Sequence, residues 1–128
     1  MARILVVEDN ELNRDMLSRR LVRAGYVVTC AVDGPEAIRA VEDARPDLVL
    51  MDIALGEMDG FEATQRIKAN PDAAATPIIA LTAHSLESHR RRSAEAGCCD
   101  FDTKPIDFPR LLSKIQNQLS TTHRSSAN

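Results

Sequence analysis

Strand-type and helix-type segments alternate five times along these 128 residues, and that alternation constrains the fold more than any other feature. Short apolar runs predict strands at Ile4–Val7, Tyr26–Cys30, Asp47–Met51, Ile78–Leu81 and Cys99–Asp102. Stretches of helical periodicity follow each one, over about Glu11–Ala24, Pro35–Ala44, Gly60–Ala69, Leu86–Ala96 and Phe108–Leu119. Strict alternation of this kind implies an α/β fold: a five-stranded parallel sheet with helices on both faces. Right-handed crossovers favour the doubly wound order 2-1-3-4-5.

Local signals agree with this reading. Asn10 can cap the first helix and Gly25 can close it. Pro35 suits a first helical turn, while Arg45-Pro46 and Asn70-Pro71 stop helices. Asp59-Gly60 reads as a turn and helix start, and Asp107 as the cap of the last helix. That helix carries Phe108, Leu111, Leu112, Ile115 and Leu119 at helical spacing. Residues 1–119 therefore read as one domain and residues 120–128 as a polar, flexible C-terminal tail. There is no internal repeat, low-complexity run or linker.

Composition narrows the function classes. An apolar fraction of 44% supports a core, and a net charge of -3 argues against general nucleic-acid binding. Tyr26, Phe61, Phe101 and Phe108 are too few and scattered for a base-stacking platform. The first apolar run stops at Val7, too short for a signal peptide or membrane span. The expected compartment is the cytoplasm, with Cys30, Cys98 and Cys99 as reduced thiols. Cys98-Cys99 reads as two small residues entering a strand, because no His or Cys partner stands at zinc spacing. His84, His89 and His123 share no metal-binding spacing either.

The chemistry concentrates at the strand ends. Asp52 ends the run Asp47–Met51, and Glu8-Asp9 end the first strand. Open α/β sheets place their sites at the C-terminal tips of their strands. If the first and third strands are neighbours, three carboxylates meet there. Like charges that close cannot all stay ionised without a cation. The pattern predicts a site for a hard divalent metal, Mg2+, beside a nucleophilic Asp52. Thr82 follows the fourth strand and Lys104 the fifth. Acids, a hydroxyl and an ammonium together suit phosphoryl transfer onto a carboxylate. Ala83 is small enough to leave room for a phosphodonor.

These motifs, Glu8-Asp9, Met51-Asp52-Ile53, Leu81-Thr82-Ala83 and Lys104-Pro105, resemble the receiver domain of bacterial two-component response regulators. The resemblance covers about Arg3 to Leu119, and the opening Val7–Asn13 is most similar to stand-alone cell-cycle receivers and receivers of hybrid kinases. It implies a flavodoxin-like fold and a phospho-switch, not an enzyme with a separate substrate. Asp52 would accept a phosphoryl group from the phosphohistidine of a sensor histidine kinase or histidine phosphotransfer protein. Asp9 and Asp52 would ligate magnesium, Glu8 mostly through water, and Ala54 through its carbonyl. Thr82 and Lys104 would contact the phosphoryl oxygens. Phe101 falls at the switch aromatic, and Pro105 at the proline whose preceding peptide bond is cis, a geometry credible only before proline. The output surface would be the fourth helix, fifth strand and fifth helix, and the state a monomer or weak homodimer.

The chain departs from the family pattern at Gly56-Glu57, in the loop after the acceptor, where Pro and Gly are common. Ala54 and His84 stand where family side chains influence phosphoryl lifetime. Arg90-Arg91-Arg92 reads as the solvated face of the fourth helix, with a partner-docking edge as its alternative. The expected output is an unidentified partner protein, and a shuttle role in a multistep phosphorelay is the other version. A haloacid-dehalogenase-like phosphohydrolase would need a second Asp two residues past the nucleophile, where this chain has Ala54. A flavodoxin-type carrier would need a first loop rich in glycine and hydroxyls. Here that loop is Glu8-Asp9-Asn10-Glu11, which repels an anion.

Overall fold

The computed structural model describes residues 1–83 and 87–127, with side chains described as far as Ser120. Five strands, β1 (Arg3–Val7), β2 (Val27–Ala31), β3 (Leu48–Asp52), β4 (Ile78–Thr82) and β5 (Asp100–Thr103), form one parallel sheet in the order β2-β1-β3-β4-β5. The helices between and after them are α1 (Glu11–Arg23), α2 (Gly34–Ala44), α3 (Gly60–Ala69), α4 (Glu87–Ala96) and α5 (Phe108–Ala127).

The sheet is covered on both sides, and the alternation of residues along each strand sorts them between two cores. Ile4, Val6, Leu48, Leu50, Ile79 and Leu81 face α1 and α5, where they meet Leu17, Leu21, Leu111 and Ile115. Leu5, Val7, Val49, Met51, Ile78 and Ala80 face the other way, onto Ala37, Val41, Phe61 and Ile67 of α2 and α3. Burial of each large side chain contributes about 1.5–3 kcal/mol. The three inner strands are buried on both faces, so their sequences are continuous apolar runs.

Caps set the helix starts. The side chains of Asn10, Asp33, Asp59 and Asp107 each accept a hydrogen bond from a backbone N–H three residues on. Asp59 thus opens α3, as its position beside Gly60 predicts. Gly25 follows the end of α1 at φ 101°, a conformation that suits glycine. Gly60 has a different reason to be glycine. A Cβ there would stand 2.4 Å from the Asp52 carbonyl oxygen and 2.7 Å from Cα of Ile53. Its own N–H donates to the Ile53 carbonyl at 2.9 Å. The start of α3 therefore rests directly on the backbone that carries Asp52.

Several boundaries differ from the sequence expectations. β2, β3 and β5 each start and end one residue later than predicted. α5 continues to Ala127 instead of stopping at Leu119. Residues 120–127 contain no proline or glycine, so nothing in the backbone ends the helix where the apolar pattern ends. The expected start of α4 at Leu86 and the lifetime reading of His84 lie outside the described residues, as do Asn128 and the side chain of His123.

Candidate functional site

Parallel register brings the strand tips level. Val7 pairs with Met51, Asp52 with Leu81 and Thr82 with Thr103. Asp52, the last residue of β3, is thus flanked by the ends of β1 and β4. Glu8 and Asp9 follow β1 directly, and carboxylate oxygens of Glu8, Asp9 and Asp52 all lie within 4.8 Å of one another. Asp9 is exposed, while Glu8 is 3% and Asp52 2% exposed.

Lys104 closes the group from β5. Its Nζ is 3.1 Å from Glu8 Oε2 and 3.1 Å from Asp52 Oδ2. The Lys104–Pro105 peptide bond is cis. The Lys104 N–H donates to the Thr82 carbonyl at 2.8 Å, continuing the ladder between the two strand ends. The Ala54 N–H donates to Asp52 Oδ1 at 3.1 Å, which fixes the orientation of the carboxylate.

Three acids and one ammonium leave the site with excess negative charge. Burial, then the hydrogen bond and charge of Glu8, push the Asp52 carboxyl up to about 6 against the pull of Lys104. Burial acts on Glu8 in the same direction, but hydrogen bonding with Asp52 and Lys104 outweighs it and holds Glu8 below its ordinary value. Burial would lower Lys104, yet the neighbouring Asp52 and Glu8 hold it above its usual value. An all-oxygen donor set with excess negative charge fits a hard divalent cation.

This geometry agrees with the relatives of the chain. Residues 4–116 match the response regulator receiver domain family. The chain is a response regulator receiver domain. It is 35% identical over 116 residues to the polar-differentiation response regulator DivK of Brucella anthropi, covering 91% of this chain and 94% of that one. Among solved structures, chemotaxis protein CheY4 of Vibrio cholerae is 32% identical with a TM-score of 0.87, over 91% of this chain and 98% of that one. The receiver domain of a sensor histidine kinase from Pseudomonas aeruginosa, with a magnesium ion coordinated in its active site cleft, is 38% identical with a TM-score of 0.86. That match covers 93% of this chain and 98% of that one. Family membership sets aside the flavodoxin-type carrier.

Within this receiver, Glu8, Asp9, Asp52 and Lys104 come together as expected. Thr82 is buried at the end of β4, with its hydroxyl 3.3 Å from Nδ1 of His89 on α4. Phe101 is half-buried on β5, with the Arg90 guanidinium 4.8 Å and the Lys114 ammonium 5.5 Å from its ring centroid. The run Arg90-Arg91-Arg92 is exposed, but it is more than a solvated face. Arg90 covers Phe101, and Arg92 lies 4.2 Å from the Phe61 ring centroid.

Sequence reading missed three contributors, Asn13, Arg14 and His89, and one buried acid outside the cluster, Asp102. Asn13 approaches Glu8 Oε1 at 3.4 Å, and Arg14 Nη1 donates to the Glu8 carbonyl at 2.9 Å. Their signal is position: both lie in the first turn after the Asn10 cap, next to the acidic loop. His89 is visible only as a histidine seven residues beyond Thr82. Asp102 is a buried acid inside β5, and Arg110 of α5 donates to its Oδ1 through Nε at 2.8 Å. Its Oδ2 meets no hydrogen-bond partner among the described residues.

Proposed function

We propose that this receiver accepts a phosphoryl group on Asp52 from a phosphohistidine donor and passes the change on through partner binding. The observation that carries the reading is Lys104 Nζ standing 3.1 Å from both Glu8 and Asp52, inside a cluster of three carboxylates. In the transfer, an Asp52 carboxylate oxygen attacks phosphorus. The P–N bond of the phosphohistidine breaks, and its electron pair returns to the imidazole. The Lys104 ammonium, already beside Asp52, meets the charge on the phosphoryl oxygens. Thr82 supplies a hydrogen bond to them.

Glu8, Asp9, Asp52 and the Ala54 carbonyl would hold magnesium, Asp9 and Asp52 directly and Glu8 mainly through water. Bound there, the ion supplies positive charge to the phosphoryl oxygens. Receiver domains interact with histidine kinases or phosphotransfer proteins. The donor would dock on the α1 side of the site. There a groove of about 260 Å³, lined by Glu8, Met16, Leu17, Lys104 and Ile106, opens beside the acids. Leu12 and Met16 of α1 are 74% and 52% exposed, giving that side an apolar surface. The answer to phosphorylation would appear on the α4, β5 and α5 face around Phe101. A cytoplasmic location is part of the same proposal, because the donor it requires is a histidine kinase or phosphotransfer protein. Among the described residues no helix is long and apolar enough to cross a membrane.

The test is incubation with magnesium and acetyl phosphate, followed by intact mass. A gain of one phosphoryl group that needs magnesium and disappears in Asp52→Ala is the expected result. A gain that persists in Asp52→Ala would refute the assignment.

A further inference from the structure

The hydroxyl that the phosphoryl group would need is already engaged. Thr82 is 2% exposed, and its Oγ1 stands 3.3 Å from Nδ1 of His89, near the start of α4. The His89 ring is held from another side by Phe61 of α3. Their centroids are 6.3 Å apart and the rings meet edge-on at 67°. Phe61 is itself buried and carries the Arg92 guanidinium, which reaches Asp59 at 3.8 Å. His89 is therefore not a free surface side chain. It is a half-buried ring between α3 and the tip of β4.

We propose that His89 is a positioning residue that withholds the Thr82 hydroxyl from the acceptor site. The inference rests on the reading of Asp52 as phosphoryl acceptor. A threonine hydroxyl has one proton to donate. With the imidazole proton on Nε2, Nδ1 is an acceptor and receives the hydrogen bond that the Thr82 hydroxyl donates. Thr82 then cannot donate to a phosphoryl oxygen until it leaves His89. Because His89 belongs to α4, the same exchange releases the start of that helix. One hydrogen bond thus connects the acceptor chemistry to the α4 surface.

The experiment is a rate comparison, with acetyl phosphate and magnesium at fixed pH, read by intact mass. His89→Ala should accept the phosphoryl group about fivefold faster, the equivalent of one ordinary hydrogen bond, and His89→Asn, whose carbonyl oxygen can take the place of Nδ1, should return to within about twofold of the parent rate. His89→Leu, which keeps an apolar side chain against Phe61 but cannot accept a proton, should match His89→Ala. In a Thr82→Ala background, His89→Ala should change nothing, because the effect passes through the hydroxyl. A His89→Ala rate equal to or below the parent, or a speed-up that survives in the Thr82→Ala background, overturns the inference. If the parent chain gains no phosphoryl group, the acceptor reading itself falls and takes this inference with it. If the parent gains one and His89 has no effect, this inference alone falls.

Discussion

On the reading proposed above, Asp52 carries two demands that oppose each other energetically. It would have to be ionised to attack, yet burial, and then Glu8 beside it, push its carboxyl up to about 6. Between its ordinary value and about 6, the folded chain holds more protons on Asp52 than the unfolded chain does. Stability contributed by this group therefore falls as pH rises through that window. Glu8 acts in the opposite sense, and its contribution is lost as pH falls. Asp52→Asn removes the cost at neutral pH. Without magnesium, it should stabilise the fold by about 1–3 kcal/mol in urea unfolding at pH 7, and by less near pH 4. A loss of stability at pH 7 would contradict this balance. The cysteines make a second case. Burial, before any other cause, pushes the Cys98 thiol up to about 11, whereas Cys30 is exposed. In the folded chain at pH 8, alkylation should mark Cys30 first, and Cys98 about a hundredfold more slowly, as peptide mass spectrometry would show. At this scale the positions of Asp52, Glu8, Asp9, Thr82 and Lys104 at the strand tips were legible, because a strand end fixes where its side chains go. Asn13, Arg14 and His89 were not, because their rotation about a helix axis is set by packing. Asp102 was not, because its burial depends on Arg110 from a different element.

Elements were legible in existence and order, and less so at their ends. The five strands and five helices follow the hydrophobic periods, and caps such as Asn10 and Asp59 mark starts reliably. Ends without a Pro or Gly carry no such mark, which is why α5 runs past its apolar pattern. The Gly60 contact was also invisible in sequence, since it depends on how closely α3 approaches β3. Gly60→Ala places a methyl group against the Asp52 carbonyl. The variant should lose about 1–3 kcal/mol in urea unfolding, with a smaller loss if α3 can shift away. It should also accept phosphoryl groups more slowly, although residue 60 touches no reacting atom. Unchanged stability and rate would show that the α3 start has slack.

The whole molecule is a sheet between two separate cores, with three carboxylates gathered at one edge of the sheet. That arrangement concentrates like charge where the apolar cores cannot relieve it. A cation bound only by the folded chain stabilises it by mass action, by about 2.7 kcal/mol at one hundred times its dissociation constant. Magnesium should therefore raise the melting temperature of the parent chain, chelation should reverse the rise, and Asp9→Asn should blunt it. A melting temperature indifferent to magnesium would argue against cation binding at this edge.

The bond between Lys104 and Glu8 joins residues 96 positions apart, the first strand end to the last. β1, β3, β4 and β5 have to be arrayed side by side before those two can meet. The acidic edge is therefore a signature of completion. A chain emerging from a ribosome displays Asp52 long before Lys104 exists, and in that interval the aspartate lacks the Lys104 ammonium as its counter-ion. Competence to accept a phosphoryl group should arrive last in refolding, together with the final unfolding-sensitive signal. Acetyl phosphate pulses at successive refolding times would reveal any acceptance ahead of that signal. The fold would then keep half-made copies silent in the signalling pool without any separate quality-control device.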